Sequence, residues 1–452
     1  MSAYNHSTYF FMNKKYFIKT MGCQMNVHDS EKIAGIFSEL GYQEAAGFKE
    51  SDVIVLNTCS VRAKAEQKFS SELGRLKLAK TYRPGLRIAV AGCIAQQMGK
   101  SLFKRFPYVD FVFGPNNIDS LEQWIIDRQQ NPDKRTQTTA LKENADYHSK
   151  LLPVKRAGRI RAWVSIMYGC DNFCAYCVVP STRGRERSRP SQDIFNEVES
   201  LAEQGFKEVT LLGQNVNSYG RNVHNNIDFP DLLKEIHDIN GIERIRFVTS
   251  HPRDLSEKLI GAMKDLPKIC GHMHLPLQAG SDSILTVMNR GYTYSDYKEK
   301  IEMLRNAIKE ISVTSDIIVG FPGETDDDFK CTVKAISELK FDGIFSFKYS
   351  RRPQTRALEL PGHIDEIIKS RRLAEILDLQ VSITFDINRA LEGEILEILV
   401  EGISSNDNAK LTGRTTTNKI VNFSGDENDI GRLIKVRIVR AQQHSLFGEK
   451  VI

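Results

Sequence analysis

What the chain has little of narrows its reading before any motif does. No stretch reaches the ~20 apolar residues that a membrane helix needs, which argues against a transmembrane protein and a membrane partner. The start, MSAYNHSTYFFMNKKYF, has no basic segment followed by a long apolar core, so no secretion signal is expected and the protein is placed in the cytoplasm. Neither sign of charge dominates: 62 Lys and Arg against 57 Asp and Glu leave +5, compatible with nucleic acid but no proof of it. Low-complexity tracts and long internal repeats are missing, which excludes collagen-like and wholly disordered chains. Cysteine is scarce as well. In a reducing cytosol its eight residues point to metal or redox chemistry sooner than to a disulfide framework.

What is present is an ordinary globular composition, 41% apolar and 26% charged, over 452 residues, enough for about three domains. Residues 14–130 alternate strand and helix. Apolar strands at Lys15–Thr20, Asp52–Asn57 and Leu86–Ala91 predict a parallel sheet covered on both faces. A polar linker is expected over 131–155. Over 156–385 six strand candidates (Ala162–Met167, Glu208–Leu212, Arg244–Val248, His272–Leu277, Ser312–Val319 and Gly343–Tyr349) alternate with helical patterns, which predicts a partial (βα)6 barrel. Residues 386–452 turn to short β-rich runs between Gly, Asn and Asp turns, a small all-β barrel. The expected class is therefore α/β multidomain.

Three cysteines, Cys23, Cys59 and Cys93, stand 36 and 34 residues apart, each at the carboxyl end of a predicted strand. Parallel strands bring those ends to one edge, so the thiols can converge on a shared metal. Three packed core cysteines are the plainer alternative. Three others, Cys170, Cys174 and Cys177, form C-x3-C-x2-C after the first strand of the middle region. A [4Fe–4S] cube held by three thiolates keeps one iron open, as a catalytic centre requires. Zinc is the alternative, but no obvious fourth ligand follows. Cys270 and Cys331 read as packing residues, and His272 and His274 as core or cofactor-facing.

The C-x3-C-x2-C loop with an aromatic before its last cysteine resembles that of radical S-adenosylmethionine enzymes. Gly22-Cys23-Gln24-Met25-Asn26, Asn57-Thr58-Cys59-Ser60-Val61-Arg62 and Gly92-Cys93-Ile94-Ala95-Gln96 resemble the cluster motifs of the methylthiotransferases. The match continues through Arg183-Gly184-Arg185-Glu186, Thr249-Ser250-His251-Pro252 and Leu275–Ser281. Thr412-Gly413-Arg414-Thr415 with Asn418-Lys419 resembles the RNA-binding TRAM domain of the subfamily that acts on N6-isopentenyladenosine in tRNA. One departure stands out: Gln354 and Arg356 occupy a segment where the family usually has Gly and Pro.

The resemblance implies an N-terminal methylthiotransferase domain, a radical S-adenosylmethionine core and a TRAM barrel. It implies two [4Fe–4S] clusters, one on Cys170, Cys174 and Cys177 that cleaves S-adenosylmethionine, one on Cys23, Cys59 and Cys93 that carries the sulfur. A second S-adenosylmethionine methylates that sulfur, and the methylthio group joins C2 of the adenine ring. Tyr176, Gln214, Ser250, Gln278 and Asp316 are the expected cofactor contacts. Arg183, Arg185, Arg187 and Arg189 alternate as a phosphate stripe would in extended chain. From Leu391 on, the net charge is −1, so RNA binding is expected of a local face: Arg414 and Lys419 beside a Thr-rich turn, and Lys435 and Arg437 opposite a core face of Ile434, Val436 and Ile438. Expected partners are tRNA, a flavodoxin- or ferredoxin-type electron donor and the iron–sulfur assembly machinery, with the enzyme itself a monomer. The rival readings are the same chemistry on threonylcarbamoyladenosine or on a ribosomal-protein aspartate, and a non-catalytic iron–sulfur RNA-binding protein.

Overall fold

The structure is a computed structural model that describes residues 13–60, 63–131, 134–141, 152–222, 227–405 and 407–451. The chain divides into two compact units: residues 1–157, 168–171 and 177–187 in the first; 158–167, 172–176 and 188–452 in the second. The first dozen residues, Arg62 and residues 132–133 and 142–151 of the expected linker lie outside the described residues.

The first unit is built on a six-stranded sheet in the order β2-β1-β3-β4-β5-β6. Its elements are β1 (Lys15–Met21), α1 (Gln24–Glu39), β2 (Gln43–Glu44), β3 (Val53–Thr58), α2 (Ala63–Tyr82), β4 (Arg87–Gly92), α3 (Cys93–Met98), α4 (Ser101–Arg105), β5 (Phe111–Phe113), α5 (Ser120–Gln130) and β6 (Thr136–Thr138). Every pairing is parallel, as the continuous apolar strands predict. All six residues of β3 are buried, and separate apolar clusters cover the two faces of the sheet. β6 corrects the linker reading: its polar residues pair with β5 as an edge strand, and edge position, not apolar pattern, makes it a strand. The linker's end is likewise tied to this unit, since the Lys155 amide donates to the Glu31 carbonyl (3.0 Å).

The second unit opens with β7 (Arg161–Ser165). The short β8 (Met167–Tyr168), α6 (Val179–Arg183) and β9 (Arg187–Ser188) follow in the chain. Repeated strand–helix units come next: α7 (Ser191–Glu203), β10 (Glu208–Leu212), α8 (Phe229–His237), β11 (Arg244–Phe247), α9 (Glu257–Asp265), β12 (His272–His274), α10 (Asp282–Val287), α11 (Tyr294–Ala307), β13 (Ser312–Val319), α12 (Asp326–Leu339) and β14 (Gly343–Lys348). Strands 7, 10 and 11 form one parallel group and 12, 13 and 14 another, with a parallel bridge from Ile245 to Ile269 between them. The six predicted barrel strands are thus present in chain order.

The 24-residue α13 (Glu366–Arg389) leads to β15 (Ile395–Ser404), β16 (Asp407–Thr415), β17 (Ile420–Ser424), β18 (Leu433–Ala441) and β19 (Leu446–Lys450), a closed barrel in the order 15-16-17-19-18. It belongs to the same compact unit as the (βα)6 region. Arg246 donates to the carbonyls of Thr415 (2.6 Å) and Thr416 (3.0 Å), and Arg161 pairs with Glu401 (3.0 Å). Among the described residues no helix is long and apolar enough to cross a membrane.

Candidate cluster and cofactor sites

Cys23, Cys59 and Cys93 sit where the sheet ends. Met21, Thr58 and Gly92 are register partners across β1, β3 and β4, and each cysteine follows one or two residues later. Adjacent strands lie about 4.8 Å apart, so the three thiols share one edge. The motif neighbours fix this edge. Gly92 has φ 88°, and a Cβ there would lie 2.5 Å from Asn57 Oδ1 and the Thr58 carbonyl. Asn26 and Asn57 are fully buried and tie α1 to β3: Asn57 Nδ2 donates to the Asn26 carbonyl (2.8 Å) and Ser30 Oγ (2.9 Å), and Asn26 Nδ2 donates to Asn57 Oδ1 (3.2 Å). Both stand in the quoted motifs, yet their structural task is visible only in the fold.

A hydrogen bond with Cys59, and then the charge of Arg183, bring the Cys23 thiol down to about 6. Burial pushes Cys93 up against the opposing pull of Arg183. Arg183, 4% exposed, is bonded to Asp29 (2.8 Å), and the Asn116 amide donates to its carbonyl (3.2 Å). This corrects the phosphate stripe. Residues 179–183 are helical and the chain turns at Gly184 (φ 82°), so the four arginines do not share a face. Arg183 is internal. Arg189 is buried against Glu197 (2.7 Å) and Arg185 is exposed but bidentate on Asp171 (2.8 and 3.1 Å).

The C-x3-C-x2-C loop is divided. Cys170 and Cys177 fall in the first unit, where the Cys170 amide donates to the Gly184 carbonyl (3.3 Å) and the Val179 amide to Cys177 Sγ (3.5 Å). Gly169 (φ 71°) is required there, since a Cβ would lie 2.0 Å from the Arg185 carbonyl oxygen. Cys174 and Tyr176 fall in the second unit. Arg290 donates to Cys174 Sγ (3.3 Å) and to the Tyr176 hydroxyl (3.3 Å), and Tyr176 meets Phe321 edge-on at 6.5 Å. Ala175 is strapped on both sides, its amide to the Met288 carbonyl (2.9 Å) and its carbonyl to the Ala357 amide (2.8 Å). Sequence reasoning missed Arg290; only its place beyond the fourth barrel strand hinted at it.

Gln214, Ser250 and Gln278 follow β10, β11 and β12. Each has a buried side-chain oxygen with no partner, at Gln214 Oε1, Ser250 Oγ and Gln278 Oε1. Three such oxygens after successive strands fit a polar ligand. Asp316 differs: it lies mid-strand in β13, 3.5 Å from His274 Nε2. His272 and His274 both share Thr314 Oγ1 at 3.0 Å. Among the described residues no three His, Cys, Asp or Glu side chains are spaced to hold a single metal ion. A cube spreads its thiolates over three irons and needs them wider apart than one ion does. Cys270 is buried as expected, whereas Cys331 is exposed on the outer face of α12, against the packing reading.

On the small barrel the expected basic residues separate. Arg414 is engaged by Glu401 (3.0 Å) and Asn418, and Lys419 by Asp342 (2.9 Å) and Asn388 (3.0 Å). Both serve packing inside the unit. Lys435 and Arg437 are exposed and alternate with buried Val436 and Ile438, as the strand period predicts. Nearby, Lys410 (4.6 Å) and Arg440 (4.9 Å) flank the ring of Phe447, an aromatic and basic surface that the sequence reading overlooked.

Comparison with known proteins agrees with this anatomy. The chain matches the radical SAM superfamily over 164–336, the uncharacterized protein family UPF0004 over 15–114 and the TRAM domain over 389–451. It is 52% identical over 433 residues to a tRNA-2-methylthio-N(6)-dimethylallyladenosine synthase of Thermodesulfovibrio yellowstonii, covering 96% of this chain and 98% of that one. A protein of the same name from Syntrophus aciditrophicus is 50% identical over 439 residues, with 97% and 95% covered. In fold alone the chain is similar to the radical S-adenosylmethionine methyltransferase TsrM of Kitasatospora setae, at 16% identity and a TM-score of 0.56 over 77% of this chain and 74% of that one. Identity of this order along nearly the whole length, with all three domain matches in sequence, shows that the chain belongs to the tRNA-2-methylthio-N(6)-dimethylallyladenosine synthase family, sulfur-transferring radical S-adenosylmethionine enzymes that modify tRNA.

Proposed function

We propose that the two thiol sets divide the work: Cys170, Cys174 and Cys177 hold the [4Fe–4S] cluster that meets S-adenosylmethionine, and Cys23, Cys59 and Cys93 hold a second cluster that delivers sulfur. The observation that carries this reading is the sheet edge. Three cysteines, 36 and 34 residues apart in sequence, end neighbouring strands, separately from a complete three-cysteine loop. When bound, the cluster and S-adenosylmethionine supply the one-electron chemistry that an unactivated C2–H demands. The chain's own residues orient. Gln214, Ser250 and Gln278 offer oxygens to the amine and hydroxyl groups of the cofactor, and Tyr176 lies beside its adenine. Asp316, paired with His274, is a weaker contact because it sits deeper in the barrel.

The RNA face is assigned to Lys435, Arg437, Lys410 and Arg440, with Phe447 as a stacking platform. Arg185, exposed and paired with Asp171, is assigned to RNA phosphate. A flavodoxin- or ferredoxin-type protein supplies electrons, the iron–sulfur assembly machinery loads the clusters, and the enzyme works as a cytoplasmic monomer.

The test is anaerobic reconstitution followed by reaction with reductant, S-adenosylmethionine and tRNA bearing N6-isopentenyladenosine. Mass spectrometry of the nucleosides is expected to find the 2-methylthio product. Deoxyadenosine without that product would move the substrate to threonylcarbamoyladenosine tRNA or a protein aspartate. Neither product, with both clusters loaded, would leave a non-catalytic RNA-binding protein.

A further inference from the structure

Arg290 follows α10, in a loop held by its own chemistry. Its side chain is buried, at 4% exposure. Each nitrogen of the guanidinium is used: Nε donates to the Tyr292 hydroxyl (2.9 Å), Nη1 to Cys174 Sγ and the Tyr176 hydroxyl (both 3.3 Å), and Nη2 to the Pro276 carbonyl (2.9 Å). Tyr292 in turn donates to the Pro276 and Leu277 carbonyls (3.1 and 2.9 Å), which fixes the arginine from behind. What the site lacks is a carboxylate. Among the described residues none forms an ion pair with Arg290; burial works against its charge, and Tyr176, Tyr292 and Cys174 are the groups that favour it most.

A buried cation without an anion is costly, and structures keep one only where a negative group completes the site. Among the described residues, the sulfur to which Arg290 donates is that of Cys174. A thiolate on an iron–sulfur cluster is such an anion, and hydrogen bonds to cluster sulfur together with local net charge set the cluster's reduction potential. We propose that Arg290 is a positioning residue of the first cluster: it donates to Cys174 Sγ, supplies the fixed positive charge that favours the reduced cluster, and ties that sulfur to the Pro276 carbonyl and to Tyr176. This inference rests on the assignment of Cys170, Cys174 and Cys177 as cluster ligands.

The experiment uses the full-length chain carrying Cys23→Ala, Cys59→Ala and Cys93→Ala, reconstituted anaerobically so that one cluster remains. Iron is counted, and the midpoint of one-electron reduction is read by electron paramagnetic resonance. Removal of the charge in Arg290→Gln is expected to shift the reduction equilibrium at least tenfold toward the oxidised form, about 59 mV downward for one electron. Arg290→Lys keeps the charge and is expected to lie nearer the parent. Midpoints equal to the parent's in both variants, or a fall as large in Arg290→Lys as in Arg290→Gln, would overturn the role. Should Arg290→Gln take up no iron, Arg290→Lys decides alone: a loaded cluster near the parental midpoint supports the role, and loss of the cluster there too reduces Arg290 to packing. A parent that binds no iron would instead sink the ligand assignment itself.

Discussion

Arg183 and Arg290 are both buried, both act on cysteine sulfur, and differ in what balances them. Arg183 carries its own counter-charge, Asp29 at 2.8 Å, and lies at the edge of a six-stranded sheet. Arg290 has tyrosine hydroxyls, a carbonyl and Cys174 Sγ around it. The sheet edge is held by backbone ladders and the Asn26–Asn57 network, so on the proposed reading this site stands before any metal arrives. The Cys174 side of the loop is held by an arginine whose charge is met only when something anionic binds. Delivery of a group from a fixed store suits the first arrangement, and one-electron chemistry, where charge changes at the centre, suits the second.

The sulfurs themselves offer the largest effect. Cys174→Ala is expected to abolish both deoxyadenosine formation and the methylthio product. Cys59→Ala is expected to keep deoxyadenosine formation and lose the product. Equal loss of cleavage in the two variants would erase the division between the sites. Next comes the network behind the sheet edge. Asn57→Ala removes two donated bonds and leaves Asn26 Nδ2 without its acceptor in a fully buried position. The expected cost is about 2–3 kcal/mol, read by denaturant unfolding of the full chain. A loss under about 1 kcal/mol would mean that the edge is held by the strands alone.

Removal of iron should separate the sites more gently. Hydrogen exchange after chelation is expected to leave the β3 amides protected, since all six residues of that strand are buried. The amides of 172–176 should exchange roughly tenfold faster, which corresponds to about 1.4 kcal/mol of local protection withdrawn with the anion. Equal acceleration at both places would show that the sheet edge, too, is completed by its cluster.

Much of this was legible in residue patterns, and for physical reasons. Continuous apolar runs such as Val53–Leu56, between helical patterns, fit a parallel strand covered on both faces, which brings the cysteines after such strands to one edge. Alternation placed Lys435 and Arg437 outside Val436 and Ile438 because the strand period is two. The failures are tertiary. Arg183 reads as a phosphate contact because a local pattern of charge cannot reveal Asp29, 154 positions away, as its partner. Arg414 and Lys419 look free in a Thr-rich turn but face Glu401 and Asp342. β6 lacks any apolar signal, and Arg290 acquires meaning only from a sulfur 116 positions before it.

The smallest expected effect bears on the departure at Gln354. The structure keeps the turn there by placing Gln354 at φ 64°, in the left-handed region that glycine occupies freely. Other residues lose roughly 1–2 kcal/mol in that region. The turn is otherwise intact: Thr355 Oγ1 donates to the Arg352 carbonyl (2.8 Å), a short helical turn runs over Arg356–Leu358, and the Ala357 amide reaches the Ala175 carbonyl (2.8 Å) inside the cysteine loop. Gln354→Gly relieves the backbone but gives the unfolded chain more freedom, which returns about 0.4–1 kcal/mol of the gain. The net expectation is a stabilisation of about 0.5–1 kcal/mol, seen as a small rise in the thermal midpoint, with product formation unchanged. A fall in stability would show that the glutamine side chain, and not the backbone, holds this strap on the Cys174 side, and that the departure from the family pattern has been turned to use.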